Sequence, residues 1–300
     1  MGTPVLLLTG ATGFLGQRLL AGLAASWQVV AASRSGAGPD AVVLDLAEPD
    51  SVVRTFCAVC PVAVVHCGGM ADPDACEHQP GLAHRVNVQA VEVLAELCAR
   101  ARSRLVHFST DLVFGDEKSW YREDDAAGPL SVYGRTKLES ERAALALCPE
   151  SVVLRVSNCY GRPLGGRPCF VDHLRASLTA GQAVPAFTDQ WRTSTAADQL
   201  PEVVRRALAA PGLSGIFHWG GADRTTRYQT ALAFCRVVGL DERLIHPARA
   251  ADQHFVAPRP RDTSLDSSCL TKAIGLAPIG LEEGFSALKR AWAQQSHGAE

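Results

Sequence analysis

The sequence predicts an α/β fold: a doubly wound parallel sheet followed by a smaller, mixed C-terminal domain. Three observations predict it. Short β-branched runs alternate with amphipathic helical stretches through the first half of the chain. Those runs are apolar at nearly every residue, the pattern of strands covered on both faces. A glycine-rich turn, GATGFLG from Gly10 to Gly16, joins the first run directly to the first helix. The composition agrees, because 300 residues with 47% hydrophobic and 20% charged side chains exclude a disordered or fibrous chain. A chain of this size buries roughly three-quarters of its unfolded surface and needs no staple.

The elements follow in order. Val5–Thr9 is the first strand, and Gly16–Ala25 reads as the helix behind the glycine turn. Gln28–Ala32 and Ala41–Leu44 are the next strands, followed by an amphipathic helix at Ser51–Val59. Ala63–His66 is a strand, Pro80–Ala101 a long helix, Arg104–Ser109 a strand, Tyr133–Leu147 a helix and Ser151–Val156 a strand. After that the alternation loosens. Pro163, Gly165, Gly166 and Pro168 mark a loop, Val171–Ala180 and Tyr228–Val238 read as helices, Ser214–Gly220 as a strand and Ala257–Asp262 as a rigid basic loop. These shifts divide the chain into domains at 1–157 and 158–300, with elements of the second returning to the main sheet.

Charge and cysteines narrow the class of partner. Lys and Arg number 29 against 31 Asp and Glu, a formal net charge of −2, which offers no basic field to a nucleic acid. No apolar stretch reaches the roughly 18 residues of a membrane span. The start, MGTPVLLLTGATGFLG, has no basic residue before its apolar run, unlike a signal peptide. Ten cysteines are too few for a disulfide scaffold. The CxxC of Cys57 and Cys60 lies in a helical stretch with no second Cys/His pair, so buried or half-buried free thiols in a reducing cytoplasm, and no metal, are expected.

The glycine turn carries the first chemistry. Gly10 permits the tight turn, Gly13 lets a pyrophosphate approach the backbone, and Gly16 lets the helix pack against the sheet. The helix start then offers free N–H groups and a partial positive charge to the anion. The second strand ends at Ser33 and Arg34, where an NAD site usually places a carboxylate for the ribose. A guanidinium and a hydroxyl suit a 2′-phosphate instead, so NADP(H) is preferred and NAD(H) is the alternative. Arg34 as a solvated loop charge is the competing reading.

Tyr133 and Lys137 form a YxxxK on one helix face. An ammonium beside a phenol stabilises the phenolate and lowers the phenol's pKa, which prepares Tyr133 to exchange a proton with a carbonyl or hydroxyl. Thr110 stands at the carboxyl end of the fifth strand, where ligands bind in open parallel sheets.

With these motifs in order the chain resembles the extended short-chain dehydrogenase/reductase family, and within it the dTDP-4-dehydrorhamnose reductase-like group. The segments are HFSTDLVFG at 107–115, VYGRTKLESER at 132–142, RVSNCYGR at 155–162 and RPRDTSLDSS at 259–268. The resemblance implies an NADP-binding Rossmann domain, with Thr110, Tyr133 and Lys137 as catalytic residues and Asn87 supporting the lysine and an active-site water. It places Asp45 and Leu46 near the adenine, and Cys67, Gly68 and Gly69 along the cofactor. The cofactor set thus comprises Gly10, Thr12, Gly13, Phe14, Leu15, Gly16, Ser33, Arg34, Asp45, Leu46, Cys67, Gly68, Gly69, Tyr133, Lys137 and Val156.

On the substrate side the resemblance assigns Asn158, Arg192 and Arg259 to a sugar-nucleotide diphosphate, with Asp111 beside them. Phe114 and Trp191 could stack on a ring, although core packing suits Phe114 better. Related dehydratases carry Asp-Glu after the Thr, whereas here Leu112 follows Asp111, which argues against elimination of water. The implied activity is NADPH-dependent reduction of a keto sugar, at C4 of a nucleotide-linked 6-deoxyhexose. The alternatives are an NAD(P)-dependent sugar-nucleotide epimerase and a non-catalytic NADP-binding subunit resembling the methionine adenosyltransferase β subunit. Many members of the family form dimers, so a homodimer is the expected assembly.

Overall fold

The computed structural model describes residues 2–36, 41–162, 164 and 168–297. Residues 163 and 165–167 of the sequence-defined loop lie outside that set. Six strands build the first half: β1 (Val5–Thr9), β2 (Gln28–Ser33), β3 (Val42–Val43), β4 (Ala63–His66), β5 (Arg104–Thr110) and β6 (Val152–Val156). With the strand Gly215–Trp219 they form one seven-stranded parallel sheet. Its order from one edge is β3-β2-β1-β4-β5-β6 and then Gly215–Trp219, with the reversal of direction between β1 and β4. Reversal points in such sheets open a crevice at the carboxyl strand ends.

Alternation along the strands assigns the two faces. Leu6, Leu8, Ala63, Val65, Val106 and Phe108 share one buried cluster with Leu19 and Leu23 of α1 (Phe14–Leu23) and with the helix Leu200–Ala209. Leu7, Val64, Leu105 and Val153 point the other way. They meet Val52 and Phe56 of α2 (Pro49–Val59), and Leu94 and Cys98 of the helix segment Ala90–Ala101. A third cluster holds the smaller body, where Leu281, Phe285, Leu288 and Trp292 of the helix Leu281–His297 pack against Phe234 and Leu174.

Two local details differ from the sequence reading. The expected single helix Pro80–Ala101 contains a π-turn at Arg85–Gln89 between the α segments Pro80–His84 and Ala90–Ala101. The wider turn accommodates an extra residue, so Ala83 on one side and Val91 and Leu94 on the other all remain buried while Asn87 turns inward. Cys57 and Cys60 are exposed rather than buried or half-buried. The buried face of α2 is taken by Val52, Thr55 and Phe56, and Cys60 sits beyond it as a left-handed cap. Among the described residues no helix is long and apolar enough to cross a membrane.

Candidate active site

The glycine turn sits where β1 meets the reversal point. Gly10 has φ +72°, and a Cβ there would meet the Gly68 nitrogen at 2.5 Å, so the loops after β1 and β4 touch backbone to backbone. A Cβ on Gly16 would lie 2.1 Å from the Gly10 carbonyl oxygen, which fixes how closely α1 follows the turn. Helix α1 opens at Gly13 with no side-chain cap and no acidic residue in its first turn. Its leading N–H groups are therefore left for an anion. This cradle fits the pyrophosphate of a dinucleotide.

Around the cradle, Cys67 is tied to β1 through its thiol, which donates to the Thr9 carbonyl at 3.0 Å. Leu15, Cys67, Gly68, Gly69 and Val156 line a cavity of about 590 Å³ that opens beside it. Ser33 ends β2 and is buried, and Arg34 opens the turn after it and is exposed. The Asp45 carboxylate accepts from the Ala47 nitrogen at 2.9 Å and shapes the entry to α2, next to Leu46. Thr12 and Gly13 belong to the turn itself, and Phe14 is the first residue of α1. Changing Arg34 to Ala is expected to weaken NADPH by roughly ten- to a hundredfold while leaving NADH unchanged, the worth of charge-assisted bonds to one phosphate. Fluorescence titration of both cofactors reads this; equal losses for the two would remove Arg34 from the site.

Thr110, Tyr133 and Lys137 all line the same cavity. Thr110 ends β5, and Ser131 caps α6 (Val132–Leu147) by accepting from the Gly134 nitrogen at 3.1 Å, which places Tyr133 in the first turn. Tyr133 lies close enough to Thr110 for the threonine side chain to act on the phenol. Burial pushes the phenol well above its ordinary range, Thr110 pulls it down, and the Asp111 charge raises it further. The expected acidification by lysine is absent from this structure. Lys137 Nζ instead donates to the Phe108 carbonyl at 2.7 Å and stands 3.3 Å from His107 Nε2. Burial lowers the Lys137 ammonium to about 8, with Glu141 opposing the fall.

Asn87 also lines the cavity, with its amide committed to protein groups. Its Oδ1 accepts from the Met70 nitrogen at 2.8 Å, and its Nδ2 donates to Met70 O and Thr136 Oγ1, both at 3.1 Å. It therefore ties the loop after β4 to α6 and reaches Lys137 only through that helix. Asp111 is similarly occupied: Ser157 Oγ at 3.0 Å and Thr263 Oγ1 at 2.6 Å donate to its Oδ2, and Thr110 Oγ1 donates to Oδ1 at 3.2 Å. Under these hydroxyls Asp111 is a scaffold, while Thr110 and Tyr133 face open space.

The substrate side joins the same cavity. Asn158, Arg192 and Arg259 line it together with Asp111. Arg192 spends most of its donors on the wall, bonding Trp191 O at 2.6 Å, Pro260 O at 2.9 Å and Arg261 O at 3.2 Å. Arg259 Nη2 donates to Asp74 Oδ1 at 2.8 Å, across the mouth of the cavity. Phe114 lies in the core, stacked on Tyr121 at 4.1 Å. Trp191 stands outside the cavity lining, with the Arg224 guanidinium 4.1 Å above its ring. The aromatic walls are Phe170, Phe187 and Phe255, none of which the sequence singles out, and Arg227 joins them. No spacing marks these residues, because separate elements bring them together: Phe170 and Arg227 each open a helix and Phe187 ends a strand.

The family described as the RmlD substrate binding domain matches residues 4–291. A probable dTDP-4,6-dihydroxy-2-methyloxan-3-one 4-ketoreductase from Streptomyces antibioticus is 35% identical over 288 residues, covering 95% of this chain and 94% of its own. The methionine adenosyltransferase 2 subunit beta of Xenopus tropicalis is 32% identical over 292 residues, covering 93% of this chain and 86% of its own. A crystal structure of dTDP-4-dehydrorhamnose reductase from Bacillus anthracis in complex with NADP superposes with a TM-score of 0.88. It covers 97% of this chain and 100% of its own at 20% identity, a likeness of fold.

Proposed function

The chain belongs to the RmlD substrate binding domain family, and on that premise we propose that it is an NADPH-dependent reductase of a keto sugar carried on a nucleotide, acting at C4 of a 6-deoxyhexose. One observation carries the reading. Thr110, Tyr133 and Lys137 line a single cavity that is bounded by the glycine cradle's neighbours at one end and by guanidinium groups at the other. The cradle and the Ser33–Arg34 turn would hold the dinucleotide, which supplies a hydride when bound.

The side chains account for the proton. Thr110 and Tyr133 line the same cavity and would both meet the carbonyl oxygen; Thr110 Oγ1 already donates to Asp111, which leaves the phenol as the donor. A phenol held above its usual range stays protonated through the physiological span, as a general acid must. Lys137, held on the Phe108 carbonyl and cationic below about 8, keeps a positive charge on the same cavity wall. Asp111, filled by three hydroxyls and followed by Leu112, does not act as the acid of a dehydratase.

The pH profile follows with a definite sign. Lys137 is cationic below about 8 and loses its proton above it. Reduction is expected to fall on the basic side, with a limb near that value that is missing in Lys137→Met; a flat profile to about pH 10 would contradict this role.

Loss of NADPH absorbance against a panel of nucleotide-linked 4-keto sugars tests the function. Binding of NADPH without its oxidation by any of these sugars, together with capture of a methionine adenosyltransferase catalytic subunit, would favour the regulatory reading that the Xenopus relative suggests. Cytoplasmic residence and a homodimer complete the proposal, the first supported by ten free thiols. Sedimentation equilibrium reads the second.

A further inference from the structure

A polar row crosses the sheet where its neighbours are apolar. Thr9 on β1, His66 on β4 and His107 on β5 are in register, Thr9 opposite His66 and His66 opposite His107. They continue the face that Leu7, Val64 and Leu105 fill two residues earlier. Both histidines are buried, and their rings stack 5.3 Å apart. Thr9 Oγ1 lies 2.6 Å from His66 Nδ1 and closes one end of the row. Lys137 on α6 closes the other: its Nζ stands 3.3 Å from His107 Nε2 and donates to the Phe108 carbonyl at 2.7 Å. Asn87, the expected support of the lysine, is committed to Met70 and Thr136 instead.

Counting hydrogens separates the two tautomers of His107. Its Nε2 also lies 2.9 Å from Ser140 Oγ, which in turn lies 2.7 Å from the Lys137 carbonyl oxygen. A hydroxyl has one hydrogen. Spent on the Lys137 carbonyl, it leaves Nε2 to carry a hydrogen toward Ser140, and an N–H then faces the ammonium. Turned to Nε2, it meets a bare nitrogen that accepts from both Ser140 and Lys137. His107 Nδ1 has no partner among the described residues in either case, so it does not decide between them. The charge on Lys137 decides, because a buried ammonium is held by a lone pair and repelled by a second donor. We propose that His107, with its hydrogen on Nδ1 and a bare Nε2, is the positioning residue that fixes the Lys137 ammonium on the cavity wall. This deepens the reductase reading and rests on it. Adjacent residues of β5 then hold two of the three ammonium hydrogens. The other titratable groups around the amine are Glu141 and Tyr133 on its own helix, Cys67 after β4, and His66. Burial and the Lys137 charge lower His66 to about 3 and hold His107 well below its usual range, so both rings are neutral.

Nitrogen NMR of the imidazole rings tests the tautomer without turnover. At about pH 7, where Lys137 is cationic, His107 of the wild-type protein is expected to show a protonated Nδ1 and a bare Nε2. The reverse assignment overturns the proposal. This arm needs no substrate, so it stands apart from a failure to reduce any sugar, which overturns the reductase reading. Two variants test the consequence for the rate. His107→Phe keeps a ring of similar size and removes the acceptor, and a hydrogen bond to a charged group is worth about ten- to a hundredfold. The ammonium then loses its proton more easily, and the basic limb of the rate profile is expected to fall by about one pH unit or more. His107→Gln, which can set an amide oxygen where Nε2 lies, is expected to return the limb toward its wild-type position. A limb unmoved in His107→Phe, or moved equally in both variants, leaves His107 a packing residue and overturns its role. Should His107→Phe fail to fold, the wild-type spectrum decides.

Discussion

Replacing Tyr133 with phenylalanine is expected to lower kcat by about a hundred- to ten-thousandfold, the usual worth of a positioned general acid, while the Kd for NADPH changes little. The separation follows from where the ring sits. Tyr133 is in the first turn of α6, held by the Ser131 cap, and it lines the cavity together with Thr110. Removing one oxygen leaves the ring and its helix in place, so the cofactor cradle on the far side of Gly68 keeps its shape. It also leaves Thr110 as the only hydroxyl of the pair for the carbonyl oxygen, and that hydroxyl already donates to Asp111. Turnover within about tenfold of the wild-type rate would falsify the assignment of Tyr133 as the proton donor.

How much of this was legible before the structure depends on how local the signal is. β1 and β4 coincide with the expected spans, and the other strands of the first half differ only at their ends, because fully buried strands are marked by short apolar runs that need no tertiary information. The glycine turn and YxxxK were equally readable, being contiguous motifs on single elements. The helix Leu281–His297 was readable and passed over: Leu281, Phe285, Leu288 and Trp292 recur at helical spacing and all four are buried. The π-turn at Arg85–Gln89 lay beyond periodicity, since a single inserted residue appears only when both flanking faces are seen packed. Arg227, from the first turn of its helix, and Phe255 reach the cavity only through tertiary packing. The state of Tyr133 could not be read either. The motif suggested a lowered pKa, and only the fold shows burial outweighing it, with Lys137 turned toward Phe108.

The second large effect concerns stability. Glu141→Leu is expected to cost about 3–5 kcal/mol in denaturant unfolding, because it strands a buried guanidinium. Arg155 on β6 donates to Glu141 on α6 through Nε at 2.9 Å and Nη2 at 2.7 Å, with side-chain exposures of 3% and 1%. Ser109 donates to the same carboxylate, and the remaining Arg155 nitrogen stands 3.3 Å from His218. This polar seam lies on the face of the sheet otherwise filled by Leu105 and Val153. Against a total stability of about 5–15 kcal/mol for a typical domain, such a loss is severe. The double variant Glu141→Leu with Arg155→Met removes both charges, and pairs replaced this way are often neutral or more stable. It is therefore expected to regain most of the loss.

That recovery would isolate what the pair does for chemistry. Glu141 holds the Lys137 ammonium up against burial. With the carboxylate gone, Lys137 falls below about 8, and the basic limb of the rate profile moves toward lower pH even though the protein is folded. A double variant as stable as the wild-type protein, with its limb unmoved, would show that the seam serves packing alone. A displaced limb would mean that the sheet keeps a buried ion pair in order to hold the lysine charged beside Tyr133.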